Sequence, residues 1–233
     1  MGKIDVGENE FTINVSEVEG RIDYEKAMKE FGIENIEKEI KKLKNLPLMY
    51  RRGIVIGHRD FASIVDAINN KKEFAVLTGV NPSGNLHLGN KLFIDQALFL
   101  QQCGAHVYIP ISDDETYVFK KAASIEQAIQ NAYEKVIPDL IACGFEQKKT
   151  HIFVSTRTPK LYELAVKLST KTTFSTIKAI FGFTNETNPG QIFYAVMQSA
   201  HILFPQLHEY GGPKPVVVPI GIDQDPDMRL VRD

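Results

Sequence analysis

The sequence predicts an α/β fold in which helices cover a mostly parallel sheet. From Phe74 onward, short apolar runs alternate with longer segments of helical periodicity, a pattern typical of parallel strands joined by right-handed crossovers. The predicted strands are 74–78, 106–112, 151–155 and 215–221. The predicted helices are 88–102, 125–142 and 160–168, and a mainly helical block, 174–204, is inserted before the last strand.

The part of the chain before the first of these strands has a different pattern. Residues 1–20 are polar and acidic, and we expect them to be mobile. A helix capped by Asp23 is predicted next, and apolar residues at helical spacing continue over 33–43. The segment 51–56 is interpreted as a short strand. We interpret 21–73 as an appendage of helices and a hairpin laid against the main domain, which extends from 74 to 233.

The composition argues against several classes of protein. A formal net charge of −2 gives no overall basic field, so contact with nucleic acid would depend on local clusters of Lys and Arg. Cys103 and Cys143 lie far apart and are interpreted as small apolar residues instead of a disulfide or a zinc site. No apolar run reaches the length of a membrane span and no signal peptide opens the chain. We therefore expect a cytoplasmic protein without membrane contact.

The segment 79–90 carries the clearest functional signal. Its glycines lead from a strand into a helix N-terminus, where free N–H groups and the helix dipole attract anions. His87 and Asn90 add two neutral donors, which suits a phosphoryl group whose negative charge grows during a reaction. The segment is not a P-loop, because Asn85 occupies the position at which that motif requires Lys. An ordinary strand–turn–helix with a surface histidine is the alternative interpretation.

Three further loops with polar residues are expected at the same edge of the sheet, where ligands of such folds bind: 113–115, 155–157 and 221–225. The acidic run 113–115 could bind a metal ion or a substrate ammonium group, although helix capping is the simpler explanation for Asp113. Tyr194 and Gln198 share one helix face because they are four residues apart. Asp223, Asp225 and Asp227 have the spacing that begins a calcium loop, but Met228 occupies the position at which that loop requires Gly. No residue order indicates a covalent nucleophile or a zinc site, so we expect no protein-bound metal.

Several segments together resemble one family, the tryptophanyl-tRNA synthetases of the archaeal and eukaryotic branch. They are Ile22-Asp-Tyr-Glu, Arg51-Arg-Gly-Ile, His58-Arg-Asp, Asn70-Lys-Lys, Ser112-Asp-Asp-Glu, Ile141-Ala-Cys-Gly-Phe, Ile180-Phe-Gly-Phe-Thr and Gly221-Ile-Asp-Gln-Asp-Pro. The segment 79–90 also fits a variant of the His-Ile-Gly-His signature of class I aminoacyl-tRNA synthetases. The resemblance covers about 22–233.

The resemblance implies a Rossmann-like (HUP-type) catalytic domain with a helical insertion at about 156–205. Such a domain converts ATP, with Mg²⁺, and L-tryptophan to tryptophanyl-adenylate and pyrophosphate, and then transfers the aminoacyl group to tRNA(Trp). The substrate carboxylate itself attacks the α-phosphorus. The family also dimerises through the insertion, so the resemblance implies a homodimer.

The resemblance assigns roles to individual residues. His87 and Asn90 become the catalytic pair of an ATP site made of Gly79, Asn81, Pro82, His87, Leu88, Gly89, Asn90, Gly221 and Asp223. Glu115 would hold the substrate ammonium group, within an amino-acid site made of Leu77, Glu115, Tyr194, Gln198 and Gln224.

Three features depart from the family pattern. The signature ends in Asn90 instead of His, which keeps a donor. Leu77 and Pro110 occupy the positions at which the family usually has the Tyr and Gln that meet the indole N–H. The Lys-Met-Ser-Lys-Ser-type loop is absent, so we expect a fragment truncated before that loop and before the anticodon-binding domain.

Two other functions compete with this interpretation. A tyrosine–tRNA ligase resembles the chain in its fold, but that family binds the phenol hydroxyl with an Asp at the position of His201. A truncated, non-catalytic form of the fold would bind RNA or protein. The missing loop favours that form, whereas His87, Gly89 and Glu115 favour an enzyme.

Overall fold

Short helices and strands precede the central sheet. The structure is a computed structural model that describes residues 12–14, 17–19 and 24–232. Two antiparallel pairs occur here: β1 (Thr12–Asn14) with β2 (Glu17–Glu19), and β3 (Glu34–Asn35) with β4 (Gly57–His58). The helices of this part are α1 (Tyr24–Phe31), α2 (Glu37–Ile40), α3 (Leu48–Arg51) and α4 (Phe61–Asn69).

The sequence-based predictions for this part hold only in part. The strand predicted at 51–56 is wrong: Gly53 has a φ of +64°, and the Ile54 N–H bonds back to the Met49 carbonyl, so the chain turns where a strand would extend. Helical spacing over 33–43 survives only as the short helix α2. The cap at Asp23, and the mobility expected for 1–20 outside β1 and β2, concern residues outside the described ranges.

Four parallel strands form the central sheet, and the α/β class is confirmed. They are β5 (Ala75–Leu77), β6 (His106–Ile111), β7 (Thr150–Val154) and β8 (Val216–Val217), in the order β7-β6-β5-β8. Helix α5 (Leu88–Gln102) has the predicted bounds and connects β5 to β6. The connection to β7 holds α6 (Asp113–Val118) and α7 (Ile125–Asn131), which continues through the π-helical turn Ala132–Val136 into α8 (Ile137–Ala142).

The predicted helical block before the last strand is also confirmed. It contains α9 (Pro159–Ser169), α10 (Phe174–Phe181) and α11 (Pro189–Leu203). Helix α11 begins with a local signal, because the Asn188 side chain accepts a hydrogen bond from the Gln191 N–H and Pro189 fits the first turn. After β8, the chain ends in α12 (Asp225–Arg232).

Both faces of the sheet are buried, which explains why its strands are continuously apolar. Because side chains alternate along a strand, Val76 packs with α4 and α5 on one face, while Ala75 and Leu77 pack with α9 and α11 on the other. Cys103 and Cys143 are half-buried free thiols, as predicted. None of the described helices has the length and apolar character of a membrane span.

An ion pair fastens the first part of the chain to its last helix. The Arg59 guanidinium donates from Nε to Asp225 Oδ1 at 2.8 Å and from Nη2 to Oδ2 at 3.0 Å. Arg59 also donates to the carbonyls of Phe31 and Gly32, and only 3% of the Asp225 surface is exposed. This bidentate contact holds the N-terminal helices against the start of α12.

Candidate active site

The N-terminus of α5 is organised by a reciprocal pair of hydrogen bonds. The His87 Nδ1 accepts from the Gly89 N–H at 3.2 Å, and the Asn90 Oδ1 accepts from the His87 N–H at 3.1 Å. An accepting Nδ1 in a neutral imidazole places the proton on Nε2. His87 is exposed, so its Nε2–H and the Asn90 amide N–H are two donors at a helix N-terminus, without partners among the described residues.

Gly89 leaves room for the His87 imidazole. A Cβ at position 89 would lie 3.0 Å from His87 Cε1 and 3.1 Å from Nδ1, so any side chain would push against the imidazole that caps the helix. Leu88, next to it, has 78% of its surface exposed. These residues are the predicted phosphate-binding segment, and the structure brings them together in the first turn of α5.

The loop from Gly79 to Asn85 is anchored to the neighbouring strand and helices. The Val80 N–H bonds to the Pro110 carbonyl at 3.0 Å, and the Asn131 side chain donates to the Pro82 carbonyl at 3.3 Å. The Asn81 amide donates to Glu115 Oε1 at 2.8 Å. Asn81 therefore lies at the boundary between the helix terminus and the acidic residues of α6.

Glu115 is the centre of a second cluster. Its Oε2 accepts from the Tyr194 hydroxyl at 2.7 Å, and its Oε1 accepts from Asn81 and from the Lys121 ammonium at 3.2 Å. The Tyr194 hydroxyl also lies 3.0 Å from Gln198 Oε1, so the shared helix face expected for this pair is confirmed. Burial, and then the charges of Glu115 and Asp114, raise the pKa of Tyr194 well above its usual value, which keeps it a donor.

The capping role expected for Asp113 is wrong. Asp113 is fully buried, and its carboxylate accepts from the backbone N–H and the hydroxyl of Thr156, which follow β7. It joins two loops instead of capping α6. Asp114 accepts from the Glu115 N–H and the Tyr162 hydroxyl, and burial, followed by the neighbouring charges of Asp113 and Glu115, raises its pKa to about 6.

The loop after β8 brings a further acid to the same place. In the turn Ile222–Gln224, the Gln224 amide donates to Asp223 Oδ2 at 3.2 Å. Asp227, one turn into α12, is 4% exposed, and burial, followed by the charges of Glu115 and Asp223, raises its pKa to about 7. Asp227 was not predicted as a site residue, because in the sequence the spacing of these acids suggests only a calcium loop.

A buried pair, His201 and Ser155, was also missed. His201 Nε2 lies 2.8 Å from Ser155 Oγ, and His201 is 2% exposed. A sequence signal for His201 existed, because His201 lies seven residues after Tyr194 and shares its helix face.

The predicted residues Leu77 and Pro110, in β5 and β6, are buried in the sheet. Among the described residues, no group of three or more His, Cys, Asp or Glu side chains could hold a metal ion.

Comparison with known proteins gives a consistent result. The family model of tRNA synthetases class I (W and Y) matches residues 69–233. The tryptophan–tRNA ligase of Methanocaldococcus jannaschii is 44% identical over 214 residues, which cover 91% of this chain and 58% of that protein. The tryptophan–tRNA ligase of Archaeoglobus fulgidus is 38% identical over 217 residues, 93% of this chain and 51% of that protein. The chain thus spans little more than half the length of these curated relatives.

Solved structures show the same fold. The crystal structure of tryptophanyl-tRNA synthetase from Aeropyrum pernix K1 has a TM-score of 0.80 and 38% identity, covering 90% of this chain and 57% of that one. The enzyme from Encephalitozoon cuniculi, solved bound to tryptophan, has a TM-score of 0.79 and 30% identity, covering 90% and 64%. The Rossmann-like architecture predicted from the sequence is therefore confirmed.

Proposed function

Because the chain belongs to the class I tRNA synthetases for tryptophan and tyrosine, we propose that it carries the catalytic domain of a tryptophan–tRNA ligase. The proposed reaction joins L-tryptophan and ATP into tryptophanyl-adenylate with release of pyrophosphate. The aminoacyl group is then transferred to tRNA(Trp) for translation in the cytoplasm. In this proposal residues 74–233 are the catalytic domain, 156–205 its insertion and 21–73 an appendage.

One observation supports the proposal most directly. Glu115, an acid that hydrogen-bond donors hold in place, lies beside the N-terminus of α5, where the His87 and Asn90 donors have no partner among the described residues. Glu115 is oriented by Tyr194 and Asn81, and Asn81 belongs to the same segment, 79–90, as His87 and Asn90. A carboxylate binds an ammonium group, and the helix N-terminus binds phosphate. An amino acid carries the ammonium group and a nucleoside triphosphate carries the phosphates, so a site with both features fits this pair of substrates.

The chemistry follows from this placement. With its ammonium group on Glu115, the amino acid directs a carboxylate oxygen at the α-phosphorus of ATP. A new oxygen–phosphorus bond forms while the bond from the α-phosphorus to the bridging oxygen breaks, and pyrophosphate leaves. The His87 Nε2–H and the Asn90 amide stabilise the charge that develops on the phosphates, and positioning supplies the rest of the rate acceleration.

The remaining residues of the two substrates' sites have supporting roles in this proposal. Gly79, Pro82, Leu88 and Gly89 line the path of the phosphates, and Gly221 with Asp223 borders the adenosine. Gln198 and Gln224 bind the backbone of the amino acid, and Leu77 contacts its side chain. Mg²⁺ enters with ATP; the described residues offer no cluster of metal ligands, so we assign no step to a protein-held ion.

We also propose a homodimer formed through the block from 155 to 204. Ile177 is buried in the core, and the stacked pair Phe181 and Phe183 packs against it. Phe174, in contrast, has 52% of its surface exposed at the start of α10. Sedimentation at micromolar concentration tests the dimer, and Phe174→Ser is expected to weaken it.

The activity is tested by calorimetric titration of the chain with L-tryptophan and L-tyrosine, followed by single-turnover adenylate formation with ATP. We expect tryptophan to bind about a hundredfold more tightly than tyrosine and to form the adenylate. Tighter binding of tyrosine would reassign the chain to tyrosine–tRNA ligases. Binding of neither amino acid, together with binding of tRNA, would favour the non-catalytic form.

A further inference from the structure

The Glu115 carboxylate already binds one ammonium group, that of Lys121. Its Oε1 accepts from Lys121 Nζ at 3.2 Å and from the Asn81 amide at 2.8 Å, and its Oε2 accepts from the Tyr194 hydroxyl at 2.7 Å. Among the described residues, Lys121 is the only cation that forms an ion pair with this acid. The acid that the proposed function assigns to the substrate ammonium group is therefore paired with a lysine of the chain itself.

A turn at the end of α6 brings Lys121 to Glu115. In a continuous helix, residues six positions apart lie about 120° apart around the axis and about 9 Å apart along it, too far for this contact. Instead α6 ends at Val118, Lys120 has a φ of +57°, and the Lys121 N–H bonds to the Thr116 carbonyl at 2.8 Å. Residues other than glycine adopt this left-handed conformation infrequently. The ion pair therefore depends on the turn and not on regular helix geometry.

The Lys121 ammonium group has a second partner nearby. Its Nζ lies 6.0 Å from the centre of the Phe119 ring, within the range of a cation–π contact, and Phe119 packs edge-on against Tyr194 at 5.8 Å. The Lys121 side chain is flexible and 42% exposed, so the ammonium group can leave the carboxylate without movement of the backbone. Glu115 keeps its position meanwhile, because its bonds to Tyr194 and Asn81 remain.

The charges around Glu115 favour exchange of one ammonium group for another. Burial, followed by the charges of Glu115 and Asp223, raises the pKa of Asp227, so Glu115 without a cation would stand among acids that already repel one another. Two ammonium groups on one carboxylate would also repel each other, since water and salt screen a partly buried site weakly. Oε1 has both of its lone-pair sites in use. Exchange keeps a single positive charge at the carboxylate throughout.

We infer that Lys121 occupies the ammonium position of the amino-acid site in the free chain and that the substrate displaces it. This inference rests on the proposed function and deepens it, since it names the contact that must break before the amino acid binds. Lys121 is then an internal competitor, which lowers the affinity for any ligand that carries an ammonium group. A ligand without that group leaves the lysine in place.

The test compares Lys121→Met with Lys120→Met. Lys120 is exposed and forms no ion pair with another described residue, so the control removes the same charge one position away. Calorimetry measures three ligands: L-tryptophan, tryptamine, which keeps the ammonium group, and indole-3-propionate, which lacks it. Because an exposed ion pair contributes up to about a factor of five, Lys121→Met should bind tryptophan and tryptamine about two- to fivefold more tightly. Its affinity for indole-3-propionate should not rise, and Lys120→Met should leave all three affinities within about 1.5-fold.

Unchanged or weaker binding of tryptophan by Lys121→Met would overturn the inference, as would an equal gain for indole-3-propionate. Nitrogen NMR of the lysine ammonium groups gives a second readout, because the Lys121 signal is identified by its loss in Lys121→Met. Tryptophan should make this ammonium group more mobile, and indole-3-propionate should not. A signal that stays equally ordered with tryptophan bound would show that two ammonium groups share the carboxylate, which also overturns the inference. Absence of tryptophan binding by the folded, unaltered chain would instead refute the proposed function.

Discussion

The two ends of the candidate site are built in different ways. At the N-terminus of α5, the hydrogen bonds of His87 and Asn90 connect residues two or three positions apart, and the His87 side chain is exposed while Asn90 is half-buried. Around Glu115, the bonds connect residues 34 and 79 positions apart, and the Ser155–His201 bond spans 46. The first end is a property of a short segment, whereas the second exists only when the sheet, α6 and α11 are assembled.

This difference separates a binding site formed by one short segment from a binding site that depends on tertiary packing. A helix terminus supplies donors wherever it occurs, so the phosphate end needs little support from the rest of the fold. The acidic end holds Glu115, Asp114 and Asp227 close together, which costs free energy that the surrounding packing must offset. Substitutions at the first end should therefore affect the rate, and those at the second end affinity and stability.

The largest effect is expected from His87→Ala. Losing one donor to the developing phosphate charge typically lowers the rate about 10²–10³-fold, while the calorimetric affinity for tryptophan should change less than about threefold. Single-turnover adenylate formation at saturating substrates measures the rate, with His208→Ala as the control. Equal losses of rate and affinity would show that His87 only caps the helix and that the two ends are not separable.

Glu115→Gln should have the opposite signature. Removing one partner of a hydrogen-bonded charge pair weakens binding by at least about 2 kcal/mol, so the affinity for tryptophan should fall at least about thirtyfold. ATP affinity should stay within about threefold. A ligand without the ammonium group, indole-3-propionate, should bind the variant and the unaltered chain equally. If indole-3-propionate loses affinity as much as tryptophan, Glu115 supports the pocket instead of contacting the ammonium group.

Asp227→Asn should stabilise the fold, and more so at higher pH. The pKa of Asp227 is raised to about 7 in the folded chain, from the 3.8 usual for an aspartate, so the folded state holds the proton more tightly than the unfolded state. Stability is then lost as pH rises from about 4 to 7. Because each pKa unit corresponds to about 1.4 kcal/mol, urea unfolding at pH 8 should show a gain of about 4 kcal/mol, and little gain at pH 4. The exposed Asp139→Asn is the control; a gain independent of pH would contradict the assignment.

Asn90→His should have the smallest effect. Histidine can accept the His87 N–H and donate to phosphate, as Asn90 does through its two amide atoms. Adenylate formation should change less than about threefold, and thermal stability by less than about 1 kcal/mol. Asn90→Leu, which removes both atoms, should lower the rate about tenfold or more, and a neutral result for it would exclude Asn90 from the phosphate site.

The contrast between the two ends also explains what the sequence could predict. The parallel sheet, α5 with its bounds and the donor segment 79–90 follow from periodicity and local turn chemistry, which act over a few residues. The roles of Glu115 and of the other residues of the amino-acid site were predicted from resemblance to a family. Asp227 and the Ser155–His201 pair were missed, because burial and tautomer depend on which residues the topology places opposite them. The Asp113 cap was wrong for the same reason: Thr156 competes for that carboxylate.

The Arg59–Asp225 pair has a consequence for the synthesis of the chain. The two residues are 166 positions apart, and a ribosome adds about 5–20 residues each second. The Arg59 guanidinium therefore lacks its partner for roughly 8–33 s, until the ribosome has added Asp225; this range follows from the same elongation rate. Until then the helices α1 to α4 lack their main polar attachment to the domain. A protease added to nascent chains should cut this part preferentially in those that end before Asp225.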